Sequence, residues 1–288
     1  REHMARALKA PFALTSAPPV QALSTSSEAE QHTVLLFVID HVAADYAATL
    51  LIQEELHAAC EAAGRMTPSR LQPSLLQYAD FALWQQRTFA NEASILEWWR
   101  AKLDGAPQVL SLPLDRSRVA AQQVVGSSLT VVIEEAVGNA MIQACSREQV
   151  SNLCGLLATW ATLMTQLSGQ DDVVLGQPYS VRAHFPELRA AVGCFATPVP
   201  VRVAAPVGDV AFGQILRNVF AELLRAIEHS QVPLFRIVQA FGSARSDAYN
   251  PLFQTIVQLL PHSAESSFAQ DSALDSGTRP DGDAAIPL

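Results

Sequence analysis

A run of six apolar residues, positions 34–39, stops at Asp40 and is followed within a few residues by a helical pattern. Its β-branched and aromatic residues predict a strand. Apolar positions at helical spacing predict a helix over residues 44–63. His41 and Asp45 therefore stand at a strand-to-helix corner, and strand ends are where α/β sheets present functional side chains to a crevice.

The spacing of His41 and Asp45 lets the carboxylate fix either the corner or the imidazole, although an H-x-x-x-D pattern is a weak signal by itself. Asp40 has two possible positions. If the strand continues through Asp40, its side chain and that of His41 lie on opposite faces of the sheet. If the chain bends and Asp40 faces His41, its negative charge raises the pKa of the imidazole, so less of the ring is neutral and able to act as a base near neutral pH.

Composition narrows the class of protein. A chain of 288 residues that is 49% hydrophobic can bury one large domain or two lobes. The net charge of −9, without a basic cluster, argues against a nucleic-acid partner. No apolar run approaches the roughly 20 residues of a membrane helix, so no membrane contact is predicted. The four scattered cysteines indicate a reducing, cytoplasmic location.

Strand-like and helix-like segments alternate along the chain. Strands are predicted at residues 18–23, 34–39, 128–134, 173–179, 198–203 and 253–260. Helices are predicted at residues 2–9, 44–63, 78–103, 153–167, 212–229 and 233–241, and a loop at residues 263–283. This mixed order predicts an α/β sandwich fold. The proline-marked connector at residues 110–116 predicts a boundary between two lobes near residue 120.

Several aromatic and imidazole side chains are predicted to be structural. Trp84, Trp98 and Trp99 are expected in the core. His229 stands at the end of a predicted helix, where an imidazole can cap the last carbonyls. The chain begins within a predicted helix and ends on an apolar stretch, which predicts a fragment of a longer protein. No phosphate-binding loop, serine nucleophile elbow or metal-ligand cluster occurs.

Seven ordered stretches resemble the motifs of the condensation domains of nonribosomal peptide synthetases, and the resemblance spans nearly the whole chain. Residues 40–46, DHVAADY, occupy the place of the signature H-H-x-x-x-D-G. The other six are residues 78–84 (YADFALW, for Y-x-D-Y-A-V-W), 112–116 (LPLDR, for L-P-x-D-R), 168–176 (SGQDDVVLG, for S-G-Q-D-D-V-V-V-G), 192–195 (VGCF, for the start of I-G-x-F-V-N-T), 229–233 (HSQVP, for H-Q-D-V-P) and 250–254 (NPLFQ, for R-N-P-L-F-Q). The sequence departs from the family at Asp40, Tyr46 and Thr197-Pro198, which replace the first histidine, the glycine and the Asn-Thr pair.

This resemblance implies an α/β fold of two chloramphenicol-acetyltransferase-like sandwich lobes in a V arrangement. Residues 1–120 would form the remainder of an incomplete N-terminal lobe, and residues 121–288 the C-terminal lobe. The implied activity is amide or ester bond formation between thioesters held on the phosphopantetheine arms of donor and acceptor carrier proteins. Adjacent synthetase domains are further implied partners, and the domain itself is expected to bind no metal or cofactor.

The resemblance assigns His41 to accept or orient the proton of the attacking amine and to stabilise the tetrahedral intermediate. Asp45 is expected to be structural, because an ionised carboxylate at the corner needs a buried cationic or backbone partner. The family's arginine partner for this aspartate is expected on a preceding strand that the sequence does not contain. Five residues are candidates for lining the substrate channel: Tyr46, Gln177, Thr197, Asn250 and Gln254.

The altered signature leaves alternatives. Some members of the superfamily with degenerate signatures only recruit a carrier or partner enzyme, and the residues Asp40 and Tyr46 fit that role. The pattern D-x-x-x-x-D from Asp40 to Asp45 resembles heterocyclisation domains, although the serine that usually follows is Ala48. A third alternative is transfer of an acyl group to a free alcohol or amine.

Overall fold

The computed structural model describes residues 8, 10–27, 32–67, 71, 74–88, 92–118, 127–204, 210–241 and 248–260. The strands of this part are β1 (Val20–Ser27), β2 (His32–Ile39), β3 (Asp172–Ser180) and β4 (Ala196–Ala204). The α-helices are α1 (Tyr46–Gly64), α2 (Tyr78–Thr88), α3 (Glu92–Leu103), α4 (Glu135–Arg147), α5 (Asn152–Ser168), α6 (Phe212–Glu228) and α7 (Leu234–Phe241). The predicted mixed α/β fold is confirmed.

Strands β1 and β2 form an antiparallel pair that leads into the corner. The register runs from Val20 opposite Ile39 to Ser27 opposite His32. Both strands were predicted, with shorter bounds. Their apolar side chains stay partly exposed, as at Phe37, so this pair contributes little to the core among the described residues.

The main core lies between the β3–β4 pair and helices α5 and α6. Val173, Leu175 and Val201 are fully buried on the antiparallel strands. Helix α5 begins at the N-cap Ser151, whose side chain accepts a hydrogen bond from the backbone N–H of Cys154, and it ends at Gly169 with φ of 69°. Helix α6 buries one stripe of residues spaced for a helical face: Ile215, Leu216, Val219, Leu223 and Ala226.

The aromatic stretch that was predicted as one helix forms two, α2 and α3, and residues 89–91 between them lie outside the described part. Trp99 on α3 is fully buried, and its Nε1 donates to the carbonyl oxygen of His229 at 3.0 Å. His229 follows α6 as predicted for a cap, with Nδ1 2.8 Å from the Arg225 carbonyl oxygen and its ring stacked on Trp98. The core prediction was wrong for Trp84, which is 44% exposed.

The prediction of a strand at residues 128–134 was wrong. Residues 127–134 form no strand, and Leu129 and Val132 are about nine-tenths exposed. The β-branched composition gave the segment strand propensity, but a strand also needs a neighbour to pair with. None of the described residues pairs with it.

The predicted strand at residues 253–260 is reduced to one parallel bridge between Ile256 and Gly176 of β3. The N–H of Gly176 donates to Thr255 O, and that of Val257 donates to Gly176 O, both at 2.9 Å. A Cβ on Gly176 would lie 2.5 Å from the Phe253 ring, so glycine permits this close approach. Of the predicted helix at 2–9 the structure describes only residue 8, which is helical, while the loop at 263–283 and the boundary near residue 120 lie outside the described residues. No helix in the described part is both long and apolar enough to span a membrane.

Candidate functional site

The chain bends at Asp40, the residue that directly follows β2. Its N–H donates to the carbonyl oxygen of Pro19 at 2.8 Å, and its carbonyl oxygen accepts from Ala43 N–H at 2.9 Å. Its carboxylate Oδ1 accepts from Val42 N–H at 3.0 Å. The strand therefore does not continue through Asp40, and the carboxylate caps the turn of residues 41–43 instead of reaching behind the sheet.

Asp45 is buried at the start of α1 and holds the corner. Its Oδ1 accepts from Ala48 N–H at 2.9 Å as the helix N-cap. Nη1 of Arg182 lies 2.8 Å from Oδ1 and 2.6 Å from Oδ2. Oδ2 also accepts from Phe195 N–H at 2.9 Å and Ala196 N–H at 3.1 Å. One cation and three backbone donors thus compensate the buried charge.

Arg182 is itself buried, directly after β3, and its remaining donors are used. Nε donates to Leu188 O at 3.2 Å, and Nη2 lies 2.7 Å from Ala191 O and 3.4 Å from Gly193 O. The guanidinium carbon lies 4.3 Å from the centre of the Phe195 ring. The sequence-based prediction placed this partner on a preceding strand and missed Arg182. The available signal was an arginine just after the predicted strand at residues 173–179.

His41 is exposed at the corner, and its Nδ1 lies 3.7 Å from the Cys194 Sγ. That thiol is half-buried, and its Sγ also lies 3.8 Å from the carbonyl oxygen of Ala196. Burial, together with the charge of Asp45, raises the pKa of the Cys194 thiol, although the charge of Arg182 opposes the rise. The thiol is therefore neutral near pH 7, and the arrangement presents an exposed imidazole beside this thiol, at the corner where the buried ion pair lies.

The backbone at Gly193 lies tightly against the aromatic cluster beside the ion pair. A Cβ there would lie 2.5 Å from Tyr78 Cδ2 and 2.9 Å from Phe195 Cε2. These two rings pack edge to face with centres 5.1 Å apart, so the added methyl group would press against both of them. We expect Gly193→Ala to lower the free energy of unfolding by about 1–3 kcal/mol in urea denaturation.

The matched control is Gly138→Ala on α4, where a Cβ would meet nothing within 4 Å. Alanine in a helix interior is expected to stabilise by about 0.5–1 kcal/mol. Equal stability changes at the two positions would contradict the steric argument for Gly193.

The channel candidates occupy different parts of the fold. Tyr46 is the first residue of α1, Gln177 is buried on β3 opposite Val199, and Thr197 lies on β4 opposite Tyr179. Asn250 and Gln254 lie in the segment that bridges to β3.

The side chain of Gln254 ties two segments of the chain together. Its Oε1 accepts from Leu110 N–H at 2.7 Å, and its Nε2 donates to Gln108 O at 3.2 Å and Asn250 O at 2.7 Å. Through these contacts Gln254 has a structural role, because they hold residues 108–110 next to residues 250–254. A role in the channel stays a prediction for all five candidates.

A cavity of about 420 Å³ lies between α2, α3 and the turns that follow β3 and α6. It is lined by Phe81, Trp84, Gln85, Glu92, Ile95, Val181, His184, Phe185, Ser230, Gln231 and Val232. His41 is not among the lining residues, so a passage to the imidazole stays a prediction. Within the described residues, no group of three or more His, Cys, Asp and Glu side chains is placed to hold a metal ion.

A family model described as Condensation domain matches residues 1–280. The chain is 31% identical over 258 residues to malpinin synthetase of Mortierella alpina, covering 89% of this chain and 3% of that protein. It is 30% identical over 277 residues to phosphinothricin tripeptide synthetase PhsC of Streptomyces viridochromogenes, covering 91% of this chain and 25% of that protein. The chain thus spans a quarter or less of the length of these relatives. The fold is similar to the X-domain in a complex of the X-domain and OxyB from teicoplanin biosynthesis, with a TM-score of 0.80 and 24% identity over 89% of this chain and 58% of that one.

Proposed function

The chain belongs to the condensation-domain family, and on this premise we propose that it joins two carrier-bound thioester substrates by amide or ester bond formation. The setting would be nonribosomal peptide or hybrid polyketide biosynthesis in the cytoplasm, with adjacent synthetase domains as partners. One observation carries the proposal: His41 is exposed on a corner whose aspartate is buried, ion-paired and bonded to three backbone N–H groups. This corner is intact although Asp40 and Tyr46 depart from the family signature.

We propose that the chain folds as parts of two chloramphenicol-acetyltransferase-like lobes in a V arrangement, with an incomplete N-terminal lobe and a boundary near residue 120. In this arrangement Asp45 belongs to residues 1–120 and Arg182 to residues 121–288. Their ion pair would then join the two lobes at the corner that carries His41. The fold similarity to the X-domain supports the α/β part of this proposal.

In the proposed reaction, the amine of the acceptor attacks the thioester carbonyl of the donor. The C–N bond forms, the C–S bond breaks, and the proton lost by the amine leaves with the phosphopantetheine thiol. The His41 imidazole accepts or orients that proton and stabilises the tetrahedral intermediate, while Asp45 keeps the corner in place without touching substrate. Positioning of two tethered reactants can remove about 7–11 kcal/mol of barrier, and proton transfer adds a factor of about 10²–10⁴. No resident cofactor is needed, because the phosphopantetheine arms arrive as part of the substrates.

The test is a reconstituted assay with a panel of loaded donor and acceptor carrier proteins. We expect the native chain to release a joined product, and His41→Ala to slow its formation by about 10²–10⁴ because proton transfer is lost. The matched control is His57→Ala, which removes an exposed imidazole on α1 that pairs with Glu61. The catalytic assignment is wrong if His41→Ala is as fast as the native chain.

A second candidate function is recruitment of a carrier or partner enzyme without catalysis. It is favoured by Asp40, whose carboxylate caps the turn where the family has its first histidine. The X-domain of similar fold was solved in complex with OxyB. In the same assay, a silent native chain together with an active Asp40→His variant would support recruitment.

The assay also separates the remaining alternatives. Cyclised product that disappears in Asp40→Ala, with cysteine, serine or threonine as the acceptor, would support heterocyclisation. Product formed from an untethered alcohol or amine would support simple acyl transfer.

A further inference from the structure

Cys194 lies within hydrogen-bonding distance of His41 at the proposed reaction centre, and the proposed reaction by itself gives this thiol no role. We propose that Cys194 is a positioning residue that holds the neutral His41 ring in the tautomer with its proton on Nδ1, which leaves the lone pair on Nε2. This inference rests on the proposed function, because only a proton acceptor needs that lone pair. The direct contact is Nδ1 to Sγ, at 3.7 Å.

The direction of the hydrogen bond follows from counting hydrogens. The Cys194 Sγ lies close to the His41 Nδ1 and also to the Ala196 carbonyl oxygen, at 3.8 Å. A neutral thiol has one hydrogen, and a carbonyl oxygen can only accept. Both contacts are satisfied when the thiol donates to Ala196 O and the Nδ1–H of His41 donates to sulfur. If the thiol donates to Nδ1 instead, its contact with the carbonyl brings no hydrogen bond.

The charged surroundings keep the sulfur in its neutral form. Besides His41, three groups interact electrostatically with the thiol: the Asp45 carboxylate, the Arg182 guanidinium and the Tyr78 hydroxyl. Burial and the charge of Asp45 raise the pKa of the thiol, which disfavours the thiolate. A thiolate would stabilise the protonated imidazolium, in which Nε2 carries a hydrogen and has no free lone pair. A neutral thiol only orients the ring.

The backbone around Cys194 is held by the same network that fixes the corner. The N–H groups of Phe195 and Ala196 donate to Asp45, and Gly193 O accepts from Asp45 N–H at 3.3 Å. The sulfur is thus placed relative to the corner from which His41 projects. Because the thiol is neutral and its sulfur can accept a hydrogen bond, Cys194 orients the ring without adding a charge beside it.

The experiment reads the tautomer directly by ¹⁵N NMR of the ring nitrogens in the full chain, without substrate. The His41 signals are assigned by their loss in His41→Ala, at a pH where the ring is neutral. We expect protonated Nδ1 in the native chain and a shift toward protonated Nε2 in Cys194→Ala. Cys194→Ser should keep protonated Nδ1, because a hydroxyl also offers one donor and an acceptor. The matched control Cys60→Ala removes an exposed thiol on α1 and should leave the His41 signals unchanged.

The same variants are then compared in the carrier assay. We expect Cys194→Ala to lower kcat about tenfold with KM unchanged, the lower end of the loss when the partner that orients a metal-bound histidine is removed, and Cys194→Ser to restore most of the rate. Protonated Nε2 in the native chain, or signals that Cys194→Ala does not change, would overturn the inference and leave the proposed function untouched. A tautomer shift in a chain that makes no product would support the inference about Cys194 and count against the proposed function.

Discussion

Replacing Arg182 by methionine while Asp45 remains should lower the free energy of unfolding by about 3–5 kcal/mol, because a buried carboxylate loses its cation. The side chains of both residues are less than a tenth exposed, so water cannot take over the role of the guanidinium. The substitution also leaves the carbonyl oxygens of Leu188 and Ala191 without the Arg182 donor. Urea denaturation followed by far-UV circular dichroism measures the loss.

Three comparisons make this prediction specific to the ion pair. Arg189→Met removes an exposed arginine of the neighbouring turn and should change stability by no more than about 0.5 kcal/mol. Arg182→Lys keeps the charge but loses the planar fork, so it should be intermediate. A double variant, Asp45→Leu with Arg182→Met, should cost less than the two single variants added together, since no buried charge is left unpaired. Equal effects of Arg182→Met and Arg189→Met would refute the assignment.

The same ion pair shows what the sequence could and could not predict about the site. The corner was predictable because its signals are local: an apolar strand, then Asp45 at an N-cap position, then a helical pattern. The need for a cation near Asp45 was also predictable from the cost of burying a carboxylate. Its identity was not, because Arg182 is 137 positions away in sequence. Only the tertiary fold brings the turn after β3 next to the corner.

Asp40 shows a related limit. The sequence predicted two positions for the Asp40 carboxylate. It would lie behind the sheet if the strand continued, and it would face His41 if the chain bent. The structure uses a third arrangement, in which the carboxylate caps the turn through Val42 N–H. Side chains of this type bind nearby backbone donors, and strand periodicity alone does not predict that local contact. The strand prediction at residues 128–134 was wrong for a different reason. The segment has strand propensity, but none of the described residues pairs with it.

The second large effect is expected at Trp99, which joins α3 to the end of α6. The indole is almost completely buried in the main core, and its Nε1 donates to the His229 carbonyl oxygen at 3.0 Å. Trp99→Ala removes this bond and leaves a cavity, so we expect the free energy of unfolding to fall by about 3–5 kcal/mol. Trp99→Phe keeps most of the buried ring but leaves the carbonyl without its donor, which should cost about 1–3 kcal/mol.

Urea denaturation measures the free energy of unfolding of both Trp99 variants, with Trp84→Ala as the comparison. Trp84 has the same side chain but is 44% exposed, and it packs edge to face on Phe185. Its removal should therefore cost less than Trp99→Ala, because less apolar surface returns to water and solvent can fill the space. If Trp84→Ala is as destabilising as Trp99→Ala, the difference in burial between the two indoles does not set their contributions to stability. If Trp99→Phe matches the native chain, the bond to His229 does not hold α3 against α6.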